Sequence, residues 1–318
     1  MTNANPEPKP GLAEPGIAQA SSGVGYLYGL AVALIWGAQP VVASFGYKAG
    51  MTALDLTMLR FAAAGLLMLP LFIRRGMGST QAAGSSGGPF GLGWKRTFIF
   101  ILLAGPIYNM VLIGGLQWAP ATHSSLIYPA FTPIFTALIA RLLLDGRQRV
   151  PIMGLALLVA GVLTVKLGAI LHPVAGVNPD AWRGDILFAT AALMWSLYTV
   201  LMRRWNTEPI AVVAVVQVGG LLYLPFYFFF EGLSVFKLDT GALTVQTLYM
   251  GILVSVISVL FFNLAVKLLG PKAVMFTALM PVVGVGLAVA VLGEPLTLSL
   301  MLGTVLIVGG LFIALKKK

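Results

Sequence analysis

The chain has 318 residues, 58% of them hydrophobic and only 9% charged, and its mean hydropathy of +0.94 lies far above what a water-soluble globular chain carries, so lipid is the solvent for most of it. The formal net charge is +10, yet no basic stripe interleaved with aromatics occurs, which argues against nucleic acid as a partner. With no cysteine and only His123 and His172 as histidines, disulfides and thiol catalysis are excluded and no metal site or cofactor is expected.

Residues 1–24 are rich in Pro, Ala, Gly and Ser, have Lys9 as their sole basic residue and lack the charged start of a secretory signal; they read as a disordered tail. Ten nearly uncharged runs follow, each near the roughly 20 residues that a helix needs to cross about 30 Å of hydrocarbon. In the first, 26–45, Gly29, Ala33 and Gly37 continue from Gly25 as a small-residue stripe for close helix approach. Trp36 and Gln39 lie three apart on one face of this run, which either lines a cavity or packs on a neighbour. The second run, 53–73, carries Arg60 about 10 Å beyond its start, a depth at which a guanidinium avoids lipid. Arg60 therefore faces the bundle, to bind a substrate carboxylate or to anchor broken helix ends.

The stretch from Gly76 to Gly93 is Gly/Ser-rich and reads as a flexible connector. The third run, 97–118, holds Tyr108 and Asn109. The fourth, 122–143, opens on His123, Ser124 and Ser125, an interfacial cap or a protonatable gate, and continues through Tyr128 and Pro133. After the fifth, 150–170, the sixth, 184–202, repeats the three-residue pair as Trp195 and Tyr198. Gln217 lies in the seventh, 209–230, and Asn263 in the eighth, 245–268; such amides bond between helices or line a cavity. The ninth, 272–292, contains Pro281 and is followed by Glu294, and the tenth is 296–315. Pro40, Pro133 and Pro281 are expected kinks, while Glu231 and Glu294 are expected at solvated outer helix ends.

With ten crossings, the 20 Lys and Arg residues divide fifteen against five between the two faces. The richer face, marked by Arg74, Arg75, Lys95, Arg96, Arg203 and Arg204, is expected to be cytoplasmic together with both termini. The chain also aligns with itself. Leu126–Leu144 matches Val274–Leu292 without a gap, Gly154 and Gly161 match Gly303 and Gly310, and Trp36 matches Trp195. The expected fold is all-α and integral to the membrane: ten transmembrane helices in two five-helix repeats around a central cavity, 25–171 and 183–318. Because five is odd, the second repeat enters upside down and a pseudo-two-fold axis lies in the membrane plane.

Several of these positions carry a family likeness: Trp36-Gly37-Ala38, Leu59-Arg60-Phe61, Pro133 with Pro281, Gly161 with Gly309-Gly310, and Leu292-Gly293-Glu294. In them the chain resembles the EamA-type family of the drug/metabolite transporter superfamily, over essentially its whole length after the tail. One departure is that Asp145-Gly146 stands in the first repeat where the second has Gly293-Glu294. The resemblance implies a ten-helix inner-membrane carrier, commonly an exporter of amino acids or other metabolites.

No Walker-type phosphate loop occurs, so direct ATP coupling is not expected. All ten carboxylates fall in the tail, a loop or a helix end, which favours uniport or exchange over strict proton or sodium coupling. No cluster of nucleophiles and acids suits an intramembrane enzyme, and Arg60 alone is thin support for a lipid-carrier flippase. The sequence therefore points to a secondary carrier of small amphipathic metabolites such as amino acids, with Trp36, Gln39, Arg60, Asn109, Tyr128, Trp195, Tyr198 and Gln217 as candidate substrate contacts. Its expected partners are that metabolite and the lipid bilayer.

Overall fold

Hydrocarbon offers the backbone no hydrogen-bonding partner, so a spanning segment must satisfy its own amides. In the computed structural model this chain does so with helices; the structure describes residues 15–77, 87–144, 151–171 and 178–315, with side chains from residue 23 onward, Pro271 excepted. Among the described residues ten helices are long and apolar enough to cross a membrane: α1 Gly23–Lys48, α2 Ala53–Gly76, α3 Trp94–Gln117, α4 Ala121–Leu143, α5 Ile152–Leu171, α6 Ala181–Arg204, α7 Pro209–Glu231, α8 Thr240–Leu269, α9 Lys272–Leu292 and α10 Leu298–Leu315. The helix of α1 already begins at Pro15, inside the stretch expected to be a tail. Lys9, His172, Asp145-Gly146, Arg147, Arg149, Lys316–Lys318 and the middle of the expected connector lie outside the described residues.

The far end of that connector is packed. Pro89–Gly91 forms a short 3-10 turn whose Phe90 ring meets Phe72 edge-on at 6.0 Å and covers Gly76. Alternate crossings place the ends of α2, α4, α6, α8 and α10 on one face, with Arg74, Arg75, Lys95, Arg96, Arg141, Arg203, Arg204, Lys267 and Lys272. This basic face is opposite the face that holds the starts of α2, α4, α6, α8 and α10.

Several crossings are irregular. The third is broken at Gly105, whose backbone is extended (φ −89°, ψ −150°), and restarts at Pro106; a Cβ at Gly105 would lie 2.2 Å from the Ile101 carbonyl oxygen. In α8 the stretch Thr247–Ile257 is a π-helix. The ninth crossing starts as a 3-10 helix, Gly270–Leu279, and becomes α-helical at Met280. Pro281 therefore marks a change of helix type, whereas Pro40 and Pro133 lie inside continuous helices.

The two repeats meet through glycine. A Cβ at Gly25, Gly29 or Gly37 would fall within 2.9 Å of Leu269, Phe276 or Val283, so the small-residue stripe of α1 lies directly against α8 and α9. The pair α5 and α10, one from each repeat, packs most extensively. There a Cβ on Gly154 would lie 2.9 Å from the Gly310 carbonyl oxygen, and one on Gly161 would lie 2.9 Å from that of Gly303. The sequence offset of 149 residues carries Gly154 onto Gly303 and Gly161 onto Gly310, so exchanging the repeats turns each contact into the other. The same exchange relates α1 on α9 to α6 on α4, and α2 on α8 to α7 on α3, all of which are packed pairs. The fold is thus two inverted five-helix repeats around a central cavity.

Gly161→Val places a branched side chain where Ile307 Cγ1 is already 2.6 Å from the added Cβ. It should lower the melting temperature of the detergent-solubilised protein by several degrees, a loss of about 1–3 kcal/mol. Gly286→Ala, with nothing within 4 Å, should leave it unchanged; indistinguishable melting curves for the two would contradict the close crossing.

Candidate functional site

Between the repeats lies a cavity of about 570 Å³, within the size range of small-molecule sites. It reaches the basic face at Arg141, Pro151 and Leu315 and stops at Leu116 and Ser124 short of the opposite face. Its walls are mostly apolar, and among the described lining residues the charged side chains are Arg60 and Arg141; no Asp, Glu or Lys is present.

Arg60 is fixed by the break in α3. Restarting the helix at Pro106 puts Asn109 opposite α2, where its Oδ1 accepts from Arg60 Nη1 at 2.7 Å while its Nδ2 donates to Thr57 Oγ1 at 2.8 Å. The π-helical part of α8 presses on the same turn, with a Cβ at Gly251 lying 2.5 Å from Ala63 Cβ and 3.3 Å from the Arg60 carbonyl oxygen. Arg60 Nε is buried without a hydrogen-bond partner, as are Gln39 Nε2 and Gln217 Oε1. Tyr108 and Tyr128 share a hydroxyl hydrogen bond of 2.8 Å, and the Trp195 ring lies 5.6 Å from Tyr108 and 5.0 Å from Tyr198. Across the cavity Trp36 donates from Nε1 to Ser258 Oγ at 2.7 Å and rests on Phe262. The site therefore offers an aromatic wall beside a guanidinium that has one arm tied and the rest of its donors unspent.

Of the residues singled out in the sequence, Trp36, Gln39, Arg60, Tyr128, Trp195, Tyr198 and Gln217 all line this cavity. Asn109 is corrected: it does not line the cavity but stands behind it, 1% exposed, holding Arg60. Tyr108, which was not among those candidates, belongs to the wall, and Asn263 does not. The Gly105-Pro106 dipeptide was the available signal for the break that places Tyr108 and Asn109.

The opposite face is closed by groups that the sequence reading placed in solvent. Gly293 adopts the left-handed conformation (φ 73°, ψ 23°) at the end of α9, turning the chain so that Glu294 spans to the other repeat. Its two carboxylate oxygens accept from the backbone N–H groups of Ala121 and Thr122 at 2.7 and 2.9 Å, an anion on the positive end of α4. His123, expected as an interfacial cap or a protonatable gate, is buried at 8% exposure, because α6 brings Asp185 to it: Asp185 Oδ1 is 2.8 Å from His123 Nδ1, and Asp185 Oδ2 pairs with Lys166 of α5. A third carboxylate, Asp55, closes a capping box with Thr52 at the start of α2 and accepts from the Tyr227 hydroxyl. These acids are helix-end groups, as their sequence positions imply, but Asp55 and Asp185 are buried, Glu294 is half-buried, and all three join helices.

The model of the EamA-like transporter family matches residues 23–167 and again 182–316. Among curated proteins of Bacillus subtilis (strain 168), the chain is 26% identical over 213 residues to the uncharacterized transporter YyaM, covering 65% of this chain and 68% of that protein. It is 24% identical over 220 residues to the uncharacterized transporter YetK, covering 67% and 65%, and 27% identical over 219 residues to the uncharacterized transporter YvbV, covering 65% and 69%. A solved crystal structure shares the fold at a TM-score of 0.58 and 22% identity, over 93% of this chain and 95% of the other.

Glu294→Gln removes the anionic charge from the α4 terminus and should loosen the closed face. Since the chain has no cysteine, Leu116→Cys provides a unique thiol at the sealed end of the cavity. Its labelling by an impermeant maleimide from that face should rise severalfold in the Glu294→Gln background; an unchanged rate would contradict the clamp.

Proposed function

This chain belongs to the EamA-like transporter family, and from that premise we propose that it is a secondary carrier that exports small amphipathic metabolites, such as amino acids, by alternating access. The observation that carries this reading is the cavity of about 570 Å³ between inverted repeats, running to the basic face and shut at the other by Glu294. With the basic face cytoplasmic by the positive-inside rule, both termini lie inside the cell, in the inner membrane, and the described state is loaded from the cytoplasm. The repeats 25–171 and 183–318 then act as the two halves that rock, since inverted halves give inward and outward states similar energies.

The cargo's apolar body rests on Trp195, Tyr108 and Tyr198, while Arg60, Gln39 and Gln217 supply directional polar contacts; Trp36 and Tyr128 complete the enclosure, and Asn109 keeps Arg60 in place. A volume of about 570 Å³ suits a metabolite rather than a lipid-linked carrier. The cavity wall has no carboxylate among its described residues, which favours uniport or exchange over strict proton or sodium coupling.

In proteoliposomes, exchange of a transported metabolite should persist without a pH or sodium gradient. It should fall at least about tenfold in Arg60→Ala, the scale of a lost charge-assisted hydrogen bond, and measurably in Trp36→Ala. Absolute dependence on an imposed proton gradient would contradict the uncoupled cycle, and lipid flipping sensitive to both substitutions, with no metabolite moving, would contradict the carrier.

A further inference from the structure

We propose that the species carried is a net anion: a compound with one carboxylate and an apolar or aromatic body, preferred over the matching zwitterion or cation. This rests on the carrier reading above and narrows its substrate class.

Charge balance in the cavity is the first ground. Arg60 lies inside the wall and Arg141 at the mouth, and no Asp, Glu or Lys lines the space among the described residues. The three ion pairs found among the described residues are His123–Asp185, Lys166–Asp185 and Arg183–Asp180, so neither arginine is neutralised by a carboxylate there. A cargo ammonium would enter a positively charged, low-dielectric site with no carboxylate to meet it, whereas a cargo carboxylate gains at both arginines.

The second ground is the geometry of the guanidinium. Asn109 occupies Nη1, Nε is buried without a partner, and among the described residues none is hydrogen-bonded to Nη2. The unoccupied Nε–Nη2 edge is the one that takes a carboxylate through two parallel hydrogen bonds. Gln39 Nε2, likewise buried without a partner on the same cavity, is a further donor for an anion. Seen from the cargo, the recognition elements are donors at the carboxylate and rings along the body; Gln217 Oε1, also buried without a partner on this cavity, is an acceptor but carries no charge to offset an ammonium.

The test uses the purified full chain at neutral pH and two sets of probes that differ in charge alone: 3-phenylpropanoate, phenylalanine and phenethylamine, then hexanoate, norleucine and pentylamine. Binding is read by thermal shift and tryptophan fluorescence, and movement by counterflow in proteoliposomes. In at least one set the carboxylate should bind about tenfold or more tightly than its zwitterion and amine, the scale of a charge-assisted pair. Arg60→Gln should abolish that preference while Arg60→Lys retains part of it. Equal or tighter binding of a zwitterion or amine, or an anion preference unchanged in Arg60→Gln, overturns the anion assignment and leaves the carrier intact. If no probe of either set binds or moves, the assignment and the carrier reading fall together.

Discussion

Each half of this molecule crosses the bilayer an odd number of times, and that constraint organises everything else. An odd repeat copied in tandem has to insert upside down, so the two copies face each other across an axis lying in the membrane. The crossing of α5 and α10 shows the result at atomic scale, where Gly154 meets Gly310 and Gly161 meets Gly303 in contacts that the symmetry exchanges. Lipid tails are as apolar as leucine, so burying side chains does not drive such helices together; close backbone approach does. Glycine is used at these contacts because a Cβ there would collide with the carbonyl oxygens of the other repeat.

The symmetry is broken where function needs it. The ninth crossing begins as a 3-10 helix and the fourth is α-helical throughout; Glu294 of the second repeat caps α4 on the sealed face, and the cavity meets the basic face. A cavity with arginines and no carboxylate also bears on energetics. Moving one elementary charge through a membrane potential is worth about 2.3 kcal/mol per 100 mV, so an inside-negative potential drives an anionic cargo outward. A carrier of anions can thus export without a proton or sodium site, in keeping with a chain whose carboxylates all sit at helix ends or in loops.

The spans, the duplication and seven residues of the cavity wall were legible in the sequence because they rest on local pattern. Hydropathy locates crossings, four-residue spacing reveals the α1 stripe, and a three-residue step puts Trp36 with Gln39 and Trp195 with Tyr198 on shared faces. What escaped depends on partners distant in the chain. Glu294 caps amides 173 and 172 residues away, so it looked like a solvated terminal group when read beside its neighbours, and the partner of His123, Asp185, lies 62 residues on. Asn109 lies behind the wall because α3 breaks at Gly105 and restarts at Pro106, a placement that hydropathy along the span does not reveal. Arg60 was legible in depth, and its tether was not.

The account turns on two halves that alternate about a fixed site, and the most direct measurement is a pair of distances on opposite faces. Spin labels at Leu142 and Leu268 span the repeats at the basic face, and labels at Gln117 and Leu296 span them at the sealed face; all four side chains are exposed. Pulsed electron resonance in liposomes, with and without the Glu294→Gln substitution that releases the clamp, should show the first distance shortening as the second lengthens. Distances that change together, or a sealed face that opens while the basic face stays open, would contradict alternating access.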